Sequence, residues 1–158
     1  MNFDDLFQED FTLMDGEFES QAVFFIEVSA ILERKGCVTP SFCEAIIERE
    51  RAFPTGLEMN GIVIAIPHTD TVHVNRPFVF VGQLRKPLEF IQMGTMDKAI
   101  DVEIVFVLGI CDPKSQVPLL AMIMEHFTQE NFIEELREKQ SKEDLIAFLK
   151  IQFGRMTK

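Results

Sequence analysis

The stretch Gly61-Ile62-Val63-Ile64-Ala65-Ile66-Pro67-His68 decides the fold. Its apolar run, residues 62–66, is continuous and rich in β-branched side chains, whereas a strand with one wet face would alternate apolar and polar residues. The run predicts a strand buried on both faces. Residues 78–84 (FVFVGQL) and 102–110 (VEIVFVLGI) carry the same signature. The link RKP at 85–87, ahead of Leu88-Glu89-Phe90, predicts a turn into a short edge strand. Upstream, residues 20–35 set Val23, Ile26, Ala30 and Ile31 at helical spacing, widened by Phe24, Val28 and Leu32, with Ser20 as cap and Gly36 as stop. Thr39 or Ser41 caps a second helix reaching about Ala52, with Phe42, Ala45, Ile46 and Phe53 inward, and Pro54 ends it. After Pro113 the helical period returns. Val117, Leu120, Ala121 and Met124 form one face, a helix follows at 130–138, and Ser141 caps a last helix with Glu143 and Asp144 in its first turn. Helices, then a buried sheet, then helices predict an α/β fold, a three-layer α/β/α sandwich with a mixed sheet.

The 158 residues fit a single domain, residues 1–158, whose core needs no disulfide, metal or obligate partner. With 15 Lys and Arg against 26 Asp and Glu, the net charge of −11 argues against gripping nucleic acid or an anionic membrane. The longest apolar runs, 62–67 and 104–110, fall far short of the ~18 residues of a membrane span. The acidic start MNFDDLFQED lacks the positive, then apolar pattern of a secretory signal, so a cytoplasmic protein is expected. Cys37, Cys43 and Cys111 form no CxxC and are expected as reduced core thiols.

Three histidines and no tyrosine or tryptophan leave few groups for chemistry. His126 sits in the helical stripe AMIMEHF and reads as a surface or partly packed residue, and His73 in TDTVHVN as a solvated loop residue. His68 ends the buried strand, where open α/β sheets place ligand chemistry. Pro67 stiffens the exit, and a neutral imidazole on a rigid support is a competent nucleophile toward phosphorus once its other nitrogen is held by an acceptor. The competing reading is a plain turn residue. His68, Asp70 and His73 do not complete a metal set, and no GxGxxG, GxxxxGK[ST] or GxSxG motif occurs, so no metal and no cofactor are expected.

Arg49-Glu50, Thr55-Gly56 and Gly61-Ile-Val-Ile-Ala-Ile-Pro67-His68 together form R-E-x4-T-G-x4-G-I-x-I-A-I-P-H. This pattern resembles the enzyme IIA domains of the phosphoenolpyruvate-dependent sugar phosphotransferase system, in the fructose–mannitol superfamily. GCVTPSFCEAIIERE, PFVFVGQLRKPLEF, VEIVFVLGICDPKSQVPLLAMI and SKEDLIAFL follow in that family's order, so the resemblance covers nearly the whole chain. It implies a phosphocarrier in which His68 accepts a phosphoryl group on Nε2 from the histidine phosphocarrier protein and passes it to a cysteine of enzyme IIB, with membrane enzyme IIC engaged indirectly. Arg49 matches the motif arginine, a charged fork suited to phosphate oxygens; the alternative is a salt bridge to Glu48 or Glu50. Thr55 is expected to bind phosphate or support the site.

Members of the fructose, mannitol and nitrogen types usually carry a second histidine at the start of the helix after the central strand, and here Gln116 takes that slot, or Lys114 or Ser115 if the alignment slips. Glutamine can donate to a phosphate oxygen but supplies neither charge nor proton. The feature resembles the galactitol-type branch, so a galactitol-like polyol is expected. The alternatives are a regulatory relative acting in trans on a transcription regulator or transporter, and a binding module that is never phosphorylated. Phe53, Leu57, Met59, Phe90, Ile91 and Met93 are expected to form an apolar docking rim around His68.

Overall fold

The computed structural model describes residues 3–155. Its five strands, β1 (Thr12–Gly16), β2 (Gly56–Met59), β3 (Ile62–Ala65), β4 (Phe78–Ile91) and β5 (Ala99–Gly109), lie in the order β1-β4-β5-β3-β2. β1 with β4 and β3 with β5 run parallel, whereas β4 with β5 and β2 with β3 run antiparallel, so the sheet is mixed. Five helices cover it: α1 (Gln21–Arg34), α2 (Phe42–Ala52), α3 (Pro113–His126), α4 (Glu130–Glu138) and α5 (Lys142–Arg155).

The two-sided burial expected of 62–66 is what makes the three layers. Ile62, Ile64 and Ile66 enter the core shared with α3, α4 and α5, while Ala65 enters the core shared with α1 and α2. β5 divides in the same way, Phe106 and Leu108 to one side and Val105 and Val107 to the other. A strand with period-2 side chains and apolar residues at both phases can be stable only between two layers.

Helix ends follow the sequence at α1 and α5, whereas α2 begins after Ser41 with no side-chain cap bond. Ser20 Oγ accepts from Val23 N at 3.2 Å, Gly36 takes φ +74° just after α1, and Ser141 Oγ accepts from Asp144 N at 3.1 Å. Helix faces are less faithful. α1 buries Phe24, Phe25, Val28 and Leu32 and leaves Ile26 outside. α3 buries Leu119, Ile123 and His126 rather than the stripe of Val117, Leu120, Ala121 and Met124. The segment VPLLAMIM is apolar nearly all round, so periodicity alone offers two faces and packing chooses between them.

Four further expectations change. Residues 88–90 are no edge strand: β4 runs through RKP with a register irregularity between Gln83 and Leu88, and both halves pair with β5. Pro87, which has no N–H, sits where the ladder slips and costs it no donor. The edges are β1 and β2, neither of which the sequence pattern marks. His126 is buried, donates from Nδ1 to Met122 O at 2.8 Å and stacks on Phe153. His73 is pinned rather than free, with Nδ1 2.7 Å from Ser41 Oγ and its carbonyl accepting from Thr39 N. Cys111 is exposed, so only Cys37 is a fully buried thiol.

Candidate active site

His68 stands just beyond β3, where the chain makes one last bridge to the sheet: His68 pairs with Leu108, and Leu108 N donates to Pro67 O at 2.9 Å. The imidazole is half-buried. Its Nδ1 lies 2.9 Å from Ile66 O, and because a carbonyl can only accept, Nδ1 carries the proton and Nε2 the lone pair. Burial holds its pKa below the 6.5 of a free imidazole, the bond to Ile66 opposing and the nearby Arg49 charge adding to the fall, while Asp70 counteracts. A neutral imidazole with Nε2 unprotonated is therefore the form present at neutral pH.

Arg49, near the end of α2, has its Nη1 3.8 Å from Asp70 Oδ1 and its guanidinium 4.6 Å from the centre of the Phe53 ring. Neither Glu48 nor Glu50 pairs with it among the described contacts. An exposed ion pair and an exposed cation–π contact are each worth about 0–1 kcal/mol, less than the about 1.5–3 kcal/mol of a hydrogen bond to a charged group, so an anion can displace them. Arg49, His68, Thr69, Asp70, Pro113, Gln116, Val117 and Leu120 line one cleft of about 240 Å³. Gln116 thus shares the His68 cleft. Ser115 lines a different groove, with Phe3 and Cys111, and Lys114 is exposed outside both.

Thr55 is not free to bind phosphate. It is buried; its N–H donates to Glu50 Oε2 at 2.7 Å, its hydroxyl donates to Glu50 Oε1 at 2.8 Å, and that hydroxyl accepts from Ile66 N at 3.2 Å. It bridges Glu50 and Ile66 N instead. Sequence reasoning passed over Glu50 as an inward residue, although Phe42, Ile46 and Glu50 recur every four positions on one helix face and all three are buried. Asp70 was considered only as a metal ligand, and among the described residues no group of three or more His, Cys, Asp or Glu could hold a metal.

The apolar rim also differs. Phe53 is exposed at 62%, Val72, which the sequence did not single out, at 75%, and Val117, which the sequence placed on the apolar face of the helix after Pro113, at 71%. Leu57 and Phe90 are buried, Met59 and Met93 pack against the core, and Met59 pairs with Ile62 at the end of β3 away from His68.

The family model for "Phosphoenolpyruvate-dependent sugar phosphotransferase system, EIIA 2" matches residues 5–151. The chain belongs to this family. It is 28% identical over 130 residues to the galactitol-specific EIIA component of Escherichia coli (strain K12), covering 78% of this chain and 86% of that one. Among solved structures it resembles the nitrogen regulatory protein IIA-Ntr of Neisseria meningitidis, with TM-score 0.76, 23% identity and coverage of 92% and 97%. It also resembles enzyme IIA of mannitol in the Escherichia coli complex with phosphorylated enzyme IIB, with TM-score 0.69, 19% identity and coverage of 89% and 94%. An EIIA chain is a phosphotransferase component, and the mixed sheet between helical layers is the fold of these neighbours. No described helix is long and apolar enough to cross a membrane.

Proposed function

We propose that this EIIA protein, a single cytoplasmic domain, carries a phosphoryl group on Nε2 of His68. The observation that carries the reading is the bond from Nδ1 to Ile66 O, which leaves the Nε2 lone pair as the nucleophile of a residue lining the same cleft as Arg49. Nε2 attacks the phosphorus of a phosphohistidine on the phosphocarrier protein; the new P–N bond forms as the old one breaks, and the donor imidazole regains its electron pair. A cysteine thiolate of enzyme IIB then attacks the same phosphorus; the S–P bond forms as the P–N bond breaks, and its electron pair returns to Nε2 of the neutral imidazole. Transfer is loose and charge spreads over the phosphoryl oxygens, where the Arg49 fork is the group suited to receive it. Gln116 adds a neutral donor in the cleft.

Val117 in the cleft wall and Phe53 against Arg49 are exposed apolar residues that support docking of two partners in turn despite the net charge of −11. Transient transfer calls for micromolar or weaker affinity, roughly −8 kcal/mol or less in magnitude. The galactitol-specific relative and the glutamine in the His68 cleft both support a galactitol-like polyol as the transported substrate, with enzyme IIC the membrane partner reached through IIB. The test is reconstitution with phosphoenolpyruvate, the upstream enzyme and the phosphocarrier, read by mass: the wild type gains one acid-labile, base-stable phosphoryl group, and His68→Ala gains none. Normal labelling of His68→Ala together with loss in His73→Ala would overturn the assignment.

A further inference from the structure

We propose that Glu50 is a positioning residue for His68, acting through Thr55 to fix the backbone of Ile66, whose N–H and C=O lie on the two sides of one Cα, and so to hold the imidazole in the tautomer that frees Nε2. This rests on His68 being the phosphoryl acceptor. The connection is continuous. Both Glu50 oxygens are taken by Thr55, at 2.7 Å from its N–H and 2.8 Å from its hydroxyl. The hydroxyl is 3.2 Å from Ile66 N, and the carbonyl of the same residue takes the His68 Nδ1 proton at 2.9 Å.

Donor and acceptor roles run one way along this chain. Ile66 N–H can only donate, so the Thr55 hydroxyl accepts there and must spend its own hydrogen on Glu50 Oε1. Thr55 N–H takes Oε2, so the carboxylate serves as a double acceptor. A glutamine could meet only one of the two. Glu50 is also the one acidic side chain buried among the described residues. Burial pushes its pKa up to about 7 against the bonds from Thr55, so the fold keeps a costly group where an apolar one would be cheaper. Adjacent helix residues point about 100° apart, so one turn of α2 sends Arg49 to the cleft and Glu50 to the support beneath the imidazole. The motif pair Arg49-Glu50 thereby addresses the two sides of one histidine.

A carboxylate that merely closed the turn at Thr55 would leave the His68 tautomer alone when the hydroxyl is removed. Long-range nitrogen–proton correlation spectra of the unphosphorylated full chain read that tautomer directly. The wild type should show Nδ1–H. Thr55→Val should lower the ratio of Nδ1–H to Nε2–H by roughly 3–10-fold, the size of one weakened hydrogen bond, and slow phosphoryl acceptance, while Thr55→Ser keeps both. If Thr55→Val does not fold, Glu50→Gln is read in the same way. A wild-type tautomer ratio in a folded Thr55→Val or Glu50→Gln would overturn the proposal. Because the ratio is measured without phosphate, a wild type that accepts no phosphoryl group would count against the function of His68 and not against this linkage.

Discussion

Behind the His68 imidazole, Glu50, Thr55 and the Ile66 peptide are joined through buried atoms at 2.7–3.2 Å. In front of it, Arg49 is held by Asp70 at 3.8 Å and by the open face of Phe53. The rear is buried with its donors matched, so it can hold one geometry; the front has long, exposed contacts that a phosphoryl group can replace at small cost. A carrier that takes and gives the same group needs both. The nucleophile must stay aimed while its charged neighbours change partners twice per cycle.

The comparison predicts that damage in front costs rate and damage behind costs geometry and stability. The largest effect is expected from Arg49→Ala, slowing transfer by roughly 10–1000-fold, equivalent to ~1.5–4 kcal/mol of charge-assisted bonding, with thermal unfolding nearly unchanged. Arg49→Lys should restore part of the rate. An Arg49→Ala protein that unfolds, or transfers normally, would make the residue structural.

Next comes the pH dependence of the rear. The Glu50 pKa is raised from 4.5 to about 7, so between those values the folded chain binds more protons than the unfolded one. Its contribution to stability is therefore fully present below about 4.5 and falls as pH rises to about 7, by about 3 kcal/mol across the window. Glutamine does not titrate, so the difference in urea midpoints between wild type and Glu50→Gln, followed across that range, isolates the term. A flat difference would place Glu50 in a wetter setting than the fold gives it. His68 carries the opposite sign. With its pKa lowered, its contribution is lost as pH falls through 6.5, and its own titration by NMR should have a midpoint below that value. A midpoint above 6.5 would show the bond to Ile66, with the Asp70 charge, outweighing burial.

The smallest effect belongs to Gln116, a neutral donor with no charge to lose. Gln116→Ala should slow transfer by about 2–10-fold, measured in single turnover. A loss as large as that of Arg49→Ala would move the main phosphate contact to Gln116.

How much of this was legible depended on whether the signal was local. The strand at 62–66 declares two covered faces by its own composition, and Ser20, Gly36 and Ser141 mark helix ends within a turn of themselves. His68 and Arg49 were found through the same strand and a motif that spans it. What was missed needs distant partners. Glu50 sits among Glu48, Arg49 and Arg51 and reads as part of a solvated charge run, until the turn at Thr55 folds back beneath it. Asp70 meets Arg49 only when α2 and the exit of β3 are brought together, and Val117 is exposed in the cleft wall because α3 turned its other apolar face inward. β1 and β2 are short and become strands only by pairing with β4 and β3, a property no window of sequence holds.

The most direct measurement is nitrogen–phosphorus coupling in the phosphorylated, nitrogen-15-labelled protein. Coupling to Nε2 of His68, with Nδ1 still protonated and bonded to Ile66 O, is the result expected of an imidazole aimed from behind; coupling to Nδ1, or to His73 or His126, would contradict it.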